Sequence, residues 1–307
     1  MTATIGIDIG GSSTTAVAID SAGTILGRHQ VRGPVEGGRQ MVAAAVSAVN
    51  ALDVDDVGAV GLGVPGQVDP VTGQVRMAVN LGIGSGPFDL GTEMEGALGH
   101  PVVVENDVHA AALGAHESLR LDGEAPQTLT LVSIGTGIGA GVVVQGELLR
   151  GAHGMAGEIG HVVVDESGAI CRCGQRGCLE AVAAGPAIAR AWPKGAAGSA
   201  ATALFAAAAE GDAAAQKVAG RIAGHLTTAL IWLSAAHDAE LIVLAGGVSG
   251  AGQPFLEAVR EQVRRRGTSS ELAARRLGPE QVVLARVEDA PGALGAAVLA
   301  ARLSERR

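Results

Sequence analysis

The chain has 307 residues, 48% of them hydrophobic, and a formal net charge of −9. This length suits two domains of ordinary size or one large one, and no apolar run reaches the roughly 18 residues that span a bilayer. The acidic balance argues against nucleic acid as the main partner, because phosphate backbones need a basic surface, and no GxxxxGK(S/T) loop is present, which excludes a P-loop nucleotidase.

Taken in chain order, Ile5 to Leu26 reads as strand, glycine turn, strand, tight turn at Ala22-Gly23, strand. This pattern starts within five residues of the first residue given, so neither a signal peptide nor a DNA-binding domain is expected ahead of it. Asp8 closes the first strand, and Gly10, Gly11, Ser12 and Thr14 follow as a candidate phosphate loop. Glycines let backbone amides approach an anion, and a carboxylate at the strand end suits a magnesium ion. A glycine-rich β-turn without a ligand is the competing reading. A helix is predicted where Met41, Val42, Ala45, Val46, Val49 and Leu52 fall at helical spacing. A strand over Ala59 to Val64, a turn at Pro65-Gly66 and a hairpin around Asp69 to Gly73 come next. The strand Pro101 to Glu105 then runs straight into a helix over Asp107 to Leu119. Asn106 and Asp107 sit at that junction. Either is a helix N-cap, or Asp107 is a general base and Asn106 positions a substrate through its donor and acceptor.

A polar break, LDGEAPQ (Leu121 to Gln127), precedes Leu129 to Leu149, which repeats the opening pattern. Gly135, Thr136 and Gly137 form the second glycine turn. The repeat argues for two related α/β domains: a smaller one over 1–121, completed by a C-terminal helix over 292–307, and a larger one over 122–291. His161, Cys171, Cys173 and Cys178 lie within 18 residues and include every cysteine of the chain. Cys₃His is a standard structural zinc set, and the odd count speaks against disulfides. Such a metal would brace Gly157 to His161 (GEIGH) and its Glu158; Glu180 lies just beyond the last cysteine. His109, His116 and His153 have no partner at ligand spacing and are expected to be partly exposed. Arg264 to Arg266, Arg275 and Arg276 read as solvated helix faces. A buried strand, Leu241 to Ala245, ends in Gly246-Gly247, and a helix around Ala296 to Leu303 closes the chain. Few cysteines and a metal site point to a reducing, cytoplasmic setting.

These motifs resemble the ROK sugar kinases, within the actin/hexokinase-like ATPase superfamily. The likeness runs nearly end to end, through IGIDIGGSSTTAVAID, GLGVPGQVD, HPVVVENDVHAAALGAH, IGTGIGAGVVVQGELLRGAHGMAGEIGH, CRCGQRGCLEAVAAG and LAGGVSGAG. The resemblance implies two actin-like ATPase (ribonuclease H-like) domains hinged around an interdomain cleft that holds ATP and a hexose. It makes Asp107 the catalytic base and places Asn106, Glu158, His161 and Glu180 on the sugar, with Gly66 beside it. Asp8, Gly10, Gly11, Ser12, Thr14, Gly135, Thr136 and Gly137 face the phosphates and Mg²⁺, and Gly246 and Gly247 lie near the adenosine. His161, Cys171, Cys173 and Cys178 hold a structural zinc. The expected activity is phosphorylation of the 6-hydroxyl of glucose by ATP, in a homodimer. N-acetylglucosamine or N-acetylmannosamine is the alternative substrate, polyphosphate the alternative donor, and a sugar-sensing regulator or a chaperone-type ATPase the rival classes. Ser13, Ile83, His109 and Ala184 depart from the usual pattern, with Ile83 expected at the pocket mouth, and leave the choice of substrate open.

Overall fold

The protein is described by a computed structural model covering residues 2–194, 199–268 and 270–305; the last two residues of the expected C-terminal helix lie outside it. In chain order the elements run β1 (Ala3–Ile9), β2 (Ser13–Ile19), β3 (Ile25–Arg32), α1 (Gly38–Asn50), β4 (Val57–Val64), β5 (Gln67–Asp69), β6 (Gln74–Arg76), β7 (Phe88–Asp89), α2 (Leu90–Leu98), β8 (Val102–Asn106) and α3 (Asp107–Leu121). Then come β9 (Thr128–Ile134), β10 (Ile138–Val144), β11 (Glu147–Leu148), α4 (Leu179–Ala183), α5 (Gly185–Ala191), α6 (Ala200–Ala209) and α7 (Ala213–His237). The chain ends with β12 (Leu241–Ala245), α8 (Gln253–Thr268), α9 (Glu271–Arg276), β13 (Val282–Leu284) and α10 (Pro291–Glu305).

Two five-stranded sheets share one topology. The first has the order β3-β2-β1-β4-β8 and the second β11-β10-β9-β12-β13. In the first, β1 pairs antiparallel with β2 and parallel with β4, and β4 pairs parallel with β8. In the second, β9, β12 and β13 are parallel. The repeated opening seen in the sequence is therefore a repeated sheet.

The chain divides into two compact units, one of residues 1–127, 141–156 and 286–307, the other of residues 128–140 and 157–285. The segment 141–156 groups with the first unit, whereas the sequence boundary put it in the larger domain. The dividing line falls within β10, between residues 140 and 141, and no change of composition marks that point.

In the first unit β1 is buried on both faces, which accounts for its unbroken run of small and β-branched residues. Edge strand β3 is mostly exposed and carries the polar set Arg28, His29, Gln30 and Arg32. Helix α1 buries Met41, Ala45 and Ala48, one stripe at helical spacing. Helix α10 lies against β1 and β4 at backbone contact: a Cβ on Gly6 or Gly61 would overlap the Ala293 or Ala296 carbonyl. Helices α3 and α10 meet in the same way at Gly114 and Gly295. The second unit has its own core, where Leu226, Leu230 and Leu233 of α7 join Phe205 and Phe255, whose rings meet edge to face at 5.1 Å.

Candidate active site

In the first unit the turn after β1 is closed by the Gly10 N–H, which donates to the Ser13 carbonyl at 2.9 Å. Gly11 and Ser12 are exposed at its tip. Thr14 is not: it is 1% exposed, inside β2, and its hydroxyl has no hydrogen-bond partner among the described residues. Thr14, expected at the phosphates, is instead enclosed in β2, where every residue from Thr14 to Ile19 is buried.

Asp8 points back under the turn against the first turn of α10, where a Cβ on Gly292 would lie 2.6 Å from its Oδ2. Its pKa is pushed up to about 7, first by burial of the carboxyl and second by the charge of Asp107. Asp8 and Asp107 are neighbours across the start of α10: a Cβ on Gly63 would lie 3.6 Å from Asp107 Cα and 3.8 Å from the carbonyl of Gly292, the residue that abuts Asp8.

Asp107 is the first residue of α3, half-buried, and its Oδ1 accepts from the Val108 N–H at 2.9 Å. Asn106 is the N-cap: its Oδ1 accepts from the N–H groups of Val108 (2.9 Å) and His109 (3.1 Å). Its amide donates to the Gly66 carbonyl at 3.1 Å. Asn106 thus uses its acceptor on the helix end and one amide N–H on Gly66, so any contact with a substrate falls to its second N–H. Gly66 adopts φ +102°, and a Cβ there would approach the Arg76 carbonyl to 2.6 Å. The glycine fixes the turn that Asn106 grips.

Directly behind this junction lies a network that the sequence reading missed. Glu105 is 3% exposed; its Oε2 accepts from Arg150 Nε at 2.6 Å and its Oε1 lies 3.2 Å from His109 Nδ1. His109 Nε2 lies 2.9 Å from the Ala156 carbonyl. Both ring nitrogens face acceptors, an arrangement that favours the doubly protonated imidazolium. Burial works to lower its pKa, but the Glu105 hydrogen bond, the Ala156 carbonyl and the Glu105 charge together raise it. Burial likewise works to raise Glu105, and His109 and Arg150 outweigh it and hold the carboxyl down. His109 is thus 3% exposed and doubly bonded, not the partly exposed histidine expected. His116 is also buried, facing the Pro126 carbonyl at 3.2 Å; His153 is exposed. The i, i+4 spacing of Glu105 and His109 was the available signal. Ile83 packs within the core of the first unit, which corrects its expected place at a pocket mouth.

In the second unit the GEIGH segment lies on the backbone of β10. A Cβ on Gly157 would overlap the Ala140 carbonyl, and one on Gly160 the Ile138 carbonyl. The Gly157 carbonyl accepts the Ala140 N–H at 2.8 Å. These two glycines hold Glu158 and His161 at a fixed height above the strand. The His161 ring turns Nδ1 toward Cys171 Sγ (3.7 Å) and Nε2 toward Glu158 Oε2 (3.9 Å). Cys173 Sγ and Cys178 Sγ are 3.6 Å apart, and the four candidate ligand atoms all lie within 4.8 Å of one another. Zn–S bonds of about 2.3 Å and Zn–N bonds of about 2.0 Å give tetrahedral edges of about 3.5–3.8 Å, which the His161–Cys171 and Cys173–Cys178 distances match, while the cluster as a whole spans up to 4.8 Å. Donation from the Gln175 backbone and side chain draws the Cys173 thiol down to about 6, while burial and the neighbouring sulfurs push Cys178 up to about 12.

Glu180 Oε2 accepts from the Ile138 N–H at 3.2 Å and lies 2.6 Å from a Cβ placed on Gly137. It is therefore packed on the second glycine turn, with Arg172 3.7 Å from its other oxygen. That turn is closed by the Gly135 N–H on the Gly137 carbonyl (2.9 Å), and Thr136 is exposed at its tip. The Gly135 carbonyl accepts the Gly185 N–H at 2.8 Å. Gly246, at φ +85°, fits against the Ile134 carbonyl, and Gly247 beside it is exposed. Gly135, Gly185 and Gly246 thus converge at the end of β9. Ala184 is the N-cap of α5 and supplies no side-chain cap. Arg264, Arg265 and Arg275 pair with glutamates one helical turn away, as solvated faces do. Among the described residues no helix is long and apolar enough to cross a membrane.

Two sheets of one topology, each with a glycine turn after its first strand, define a protein of the actin-like ATPase fold. Residues 4–303 match the ROK family, and the chain belongs to it. It is 33% identical over 310 residues to the glucokinase of Thermotoga maritima, covering 95% of each chain. It is 37% identical over 196 residues to the glucokinase of Halalkalibacterium halodurans, a stretch spanning 61% of this chain and only 58% of that protein. Among solved structures it is similar to a ROK family glucokinase from Streptomyces griseus in complex with glucose and AMPPNP. The TM-score is 0.80 at 33% identity, with 98% of this chain and 99% of that one covered.

Proposed function

We propose that the protein is an ATP-dependent hexose kinase that phosphorylates the 6-hydroxyl of glucose. The observation that carries this reading is the Asp8–Asp107 pair: one carboxyl at a strand end behind a glycine turn, the other at a helix start. The likeness to relatives named glucokinase, one of them bound to glucose and AMPPNP, supports it.

In the proposed reaction Asp107 takes the proton of the 6-hydroxyl as that oxygen attacks the γ-phosphorus in line. The new O–P bond forms as the bridge to the β-phosphate breaks, leaving ADP and a protonated Asp107. Asp8 would face Mg²⁺, which supplies neutralisation of phosphate charge. Gly10, Gly11 and Ser12, with Gly135, Thr136 and Gly137, offer backbone N–H groups and hydroxyls to the phosphates, and Gly246-Gly247 leaves room for the adenosine. Glu158, His161 and Glu180 hydrogen-bond the sugar hydroxyls. His161 Nδ1 and the sulfurs of Cys171, Cys173 and Cys178 would hold a structural zinc that fixes the ledge carrying Glu158. A thiolate set of this kind suits a reducing cytoplasm, and the proposal includes a homodimer.

ADP release measured with and without sugar tests the reading, over glucose, mannose, N-acetylglucosamine and N-acetylmannosamine, each with ATP and with polyphosphate. Turnover should require a sugar and be highest in kcat/KM for glucose with ATP. ATP hydrolysis indifferent to every sugar would overturn it.

A further inference from the structure

A cavity of about 550 Å³ lies wholly within the second unit, between the segment following GEIGH and helices α4, α5 and α7. Arg176, Arg190 and Arg221 line it. On helices α8 and α9 Arg260, Arg264, Arg265 and Arg275 each pair with a glutamate of their own helix. None of the three cavity arginines comes within ion-pair distance of a carboxylate among the described residues. Two are held by carbonyls instead. Arg176 donates to Gly168 at 2.9 Å and Arg190 to Ala181 at 3.1 Å. Each such bond occupies one N–H of a five-donor fork and leaves the others available. The one carboxylate lining the cavity, Asp165, accepts from the Ser167 N–H and hydroxyl on Oδ1 at 3.0 and 2.7 Å and faces His225 Nε2 at 3.9 Å through Oδ2; it also feels the charge of Arg221, so three guanidinium groups stand against a single carboxylate. The cavity therefore keeps a net positive charge in a chain whose formal charge is −9.

We propose that this cavity binds a small phosphate monoester, with the dianion held by Arg176, Arg190 and Arg221. Three guanidinium forks match the terminal oxygens of a tetrahedral dianion better than the two of a carboxylate. The volume exceeds what a bare phosphate fills, and the wall made by Val182, Ala187 and Ala191 is apolar, which gives the organic part a surface to rest on. The cavity is built by one unit alone and does not depend on the kinase reading.

Calorimetric titration of the full chain with 3-phosphoglycerate and, separately, with inorganic phosphate tests this, in the wild type and in the Arg190→Ala/Arg221→Ala double variant. The ester should bind the wild type with a Kd below about 1 mM and more tightly than inorganic phosphate. Binding should weaken by about tenfold or more in the double variant, the loss expected when charge-assisted hydrogen bonds are removed. An unchanged Tm of the ligand-free variant shows that its fold is intact, and Arg190→Lys/Arg221→Lys, which keeps the charge, should retain part of the affinity. No binding to the wild type, equal binding of ester and phosphate, or equal affinity in wild type and a folded double variant would each overturn the proposal.

Discussion

His109 is where the structure departs most from the composition-level view of this chain. With Glu105 on one nitrogen and the Ala156 carbonyl on the other, its ring favours the charged form, and it ties the start of α3 to the loop that carries Arg150. Its folded pKa is raised above the ordinary value of 6.5. The stability it contributes is therefore complete below pH 6.5 and is lost as pH rises through the folded pKa. Glu105 is depressed below 4.5, so its contribution is present above that value and is lost as pH falls through its folded pKa. Urea midpoints should thus be highest between these two limits. Long-range nitrogen-proton spectra should show both His109 nitrogens protonated at pH 6.5, and a neutral tautomer there would contradict the assignment. His109→Leu leaves the buried Glu105 carboxylate with Arg150 and the Asn106 N–H and should destabilise by roughly 1–3 kcal/mol, the loss of one charge-assisted hydrogen bond to a buried group. Glu105 and His109 are legible in the sequence as an i, i+4 pair, but Arg150 lies 45 residues from Glu105, a distance that no periodicity reveals.

Among the elements, the GEIGH ledge and the cysteine loop are the best-specified pieces. Four soft ligands in 18 residues identify the cluster before any fold is known, because few other arrangements have a use for them. The purpose of Gly157 and Gly160 becomes clear only when β10 is seen beneath them, since each is required by a carbonyl of another segment. Cys173→Ser should abolish the metal measured by atomic absorption in the purified chain and lower Tm. A wild-type protein that is folded and metal-free, with the same Tm as Cys173→Ser, would remove the zinc assignment. Asn106 shows the opposite case. Its position before a helix allowed both a cap and a substrate contact; the Val108 and His109 N–H groups establish the cap, which commits the oxygen and leaves the amide side as the part open to a substrate. Thr14 was misread because the glycine turn ends one residue earlier than the motif suggests, and β2 claims its side chain for the interior.

For the molecule as a whole, the internal repeat was the most informative long-range signal. Two strand–turn–strand openings in the sequence become two sheets of the same order. The partition of 141–156 with the first unit was not legible, because it depends on Gly141 fitting against Ala112 and Val108 of α3, a contact with no local signature.

The central claim is that Asp107 accepts a proton from a sugar hydroxyl, and replacing it with a residue of the same shape that cannot do so tests it most directly. In Asp107→Asn, with Tm and zinc content as in the wild type, kcat for glucose phosphorylation should fall by about 10² or more, while ATP binding is retained. A kcat within a few-fold of the wild type in that folded variant would contradict the account.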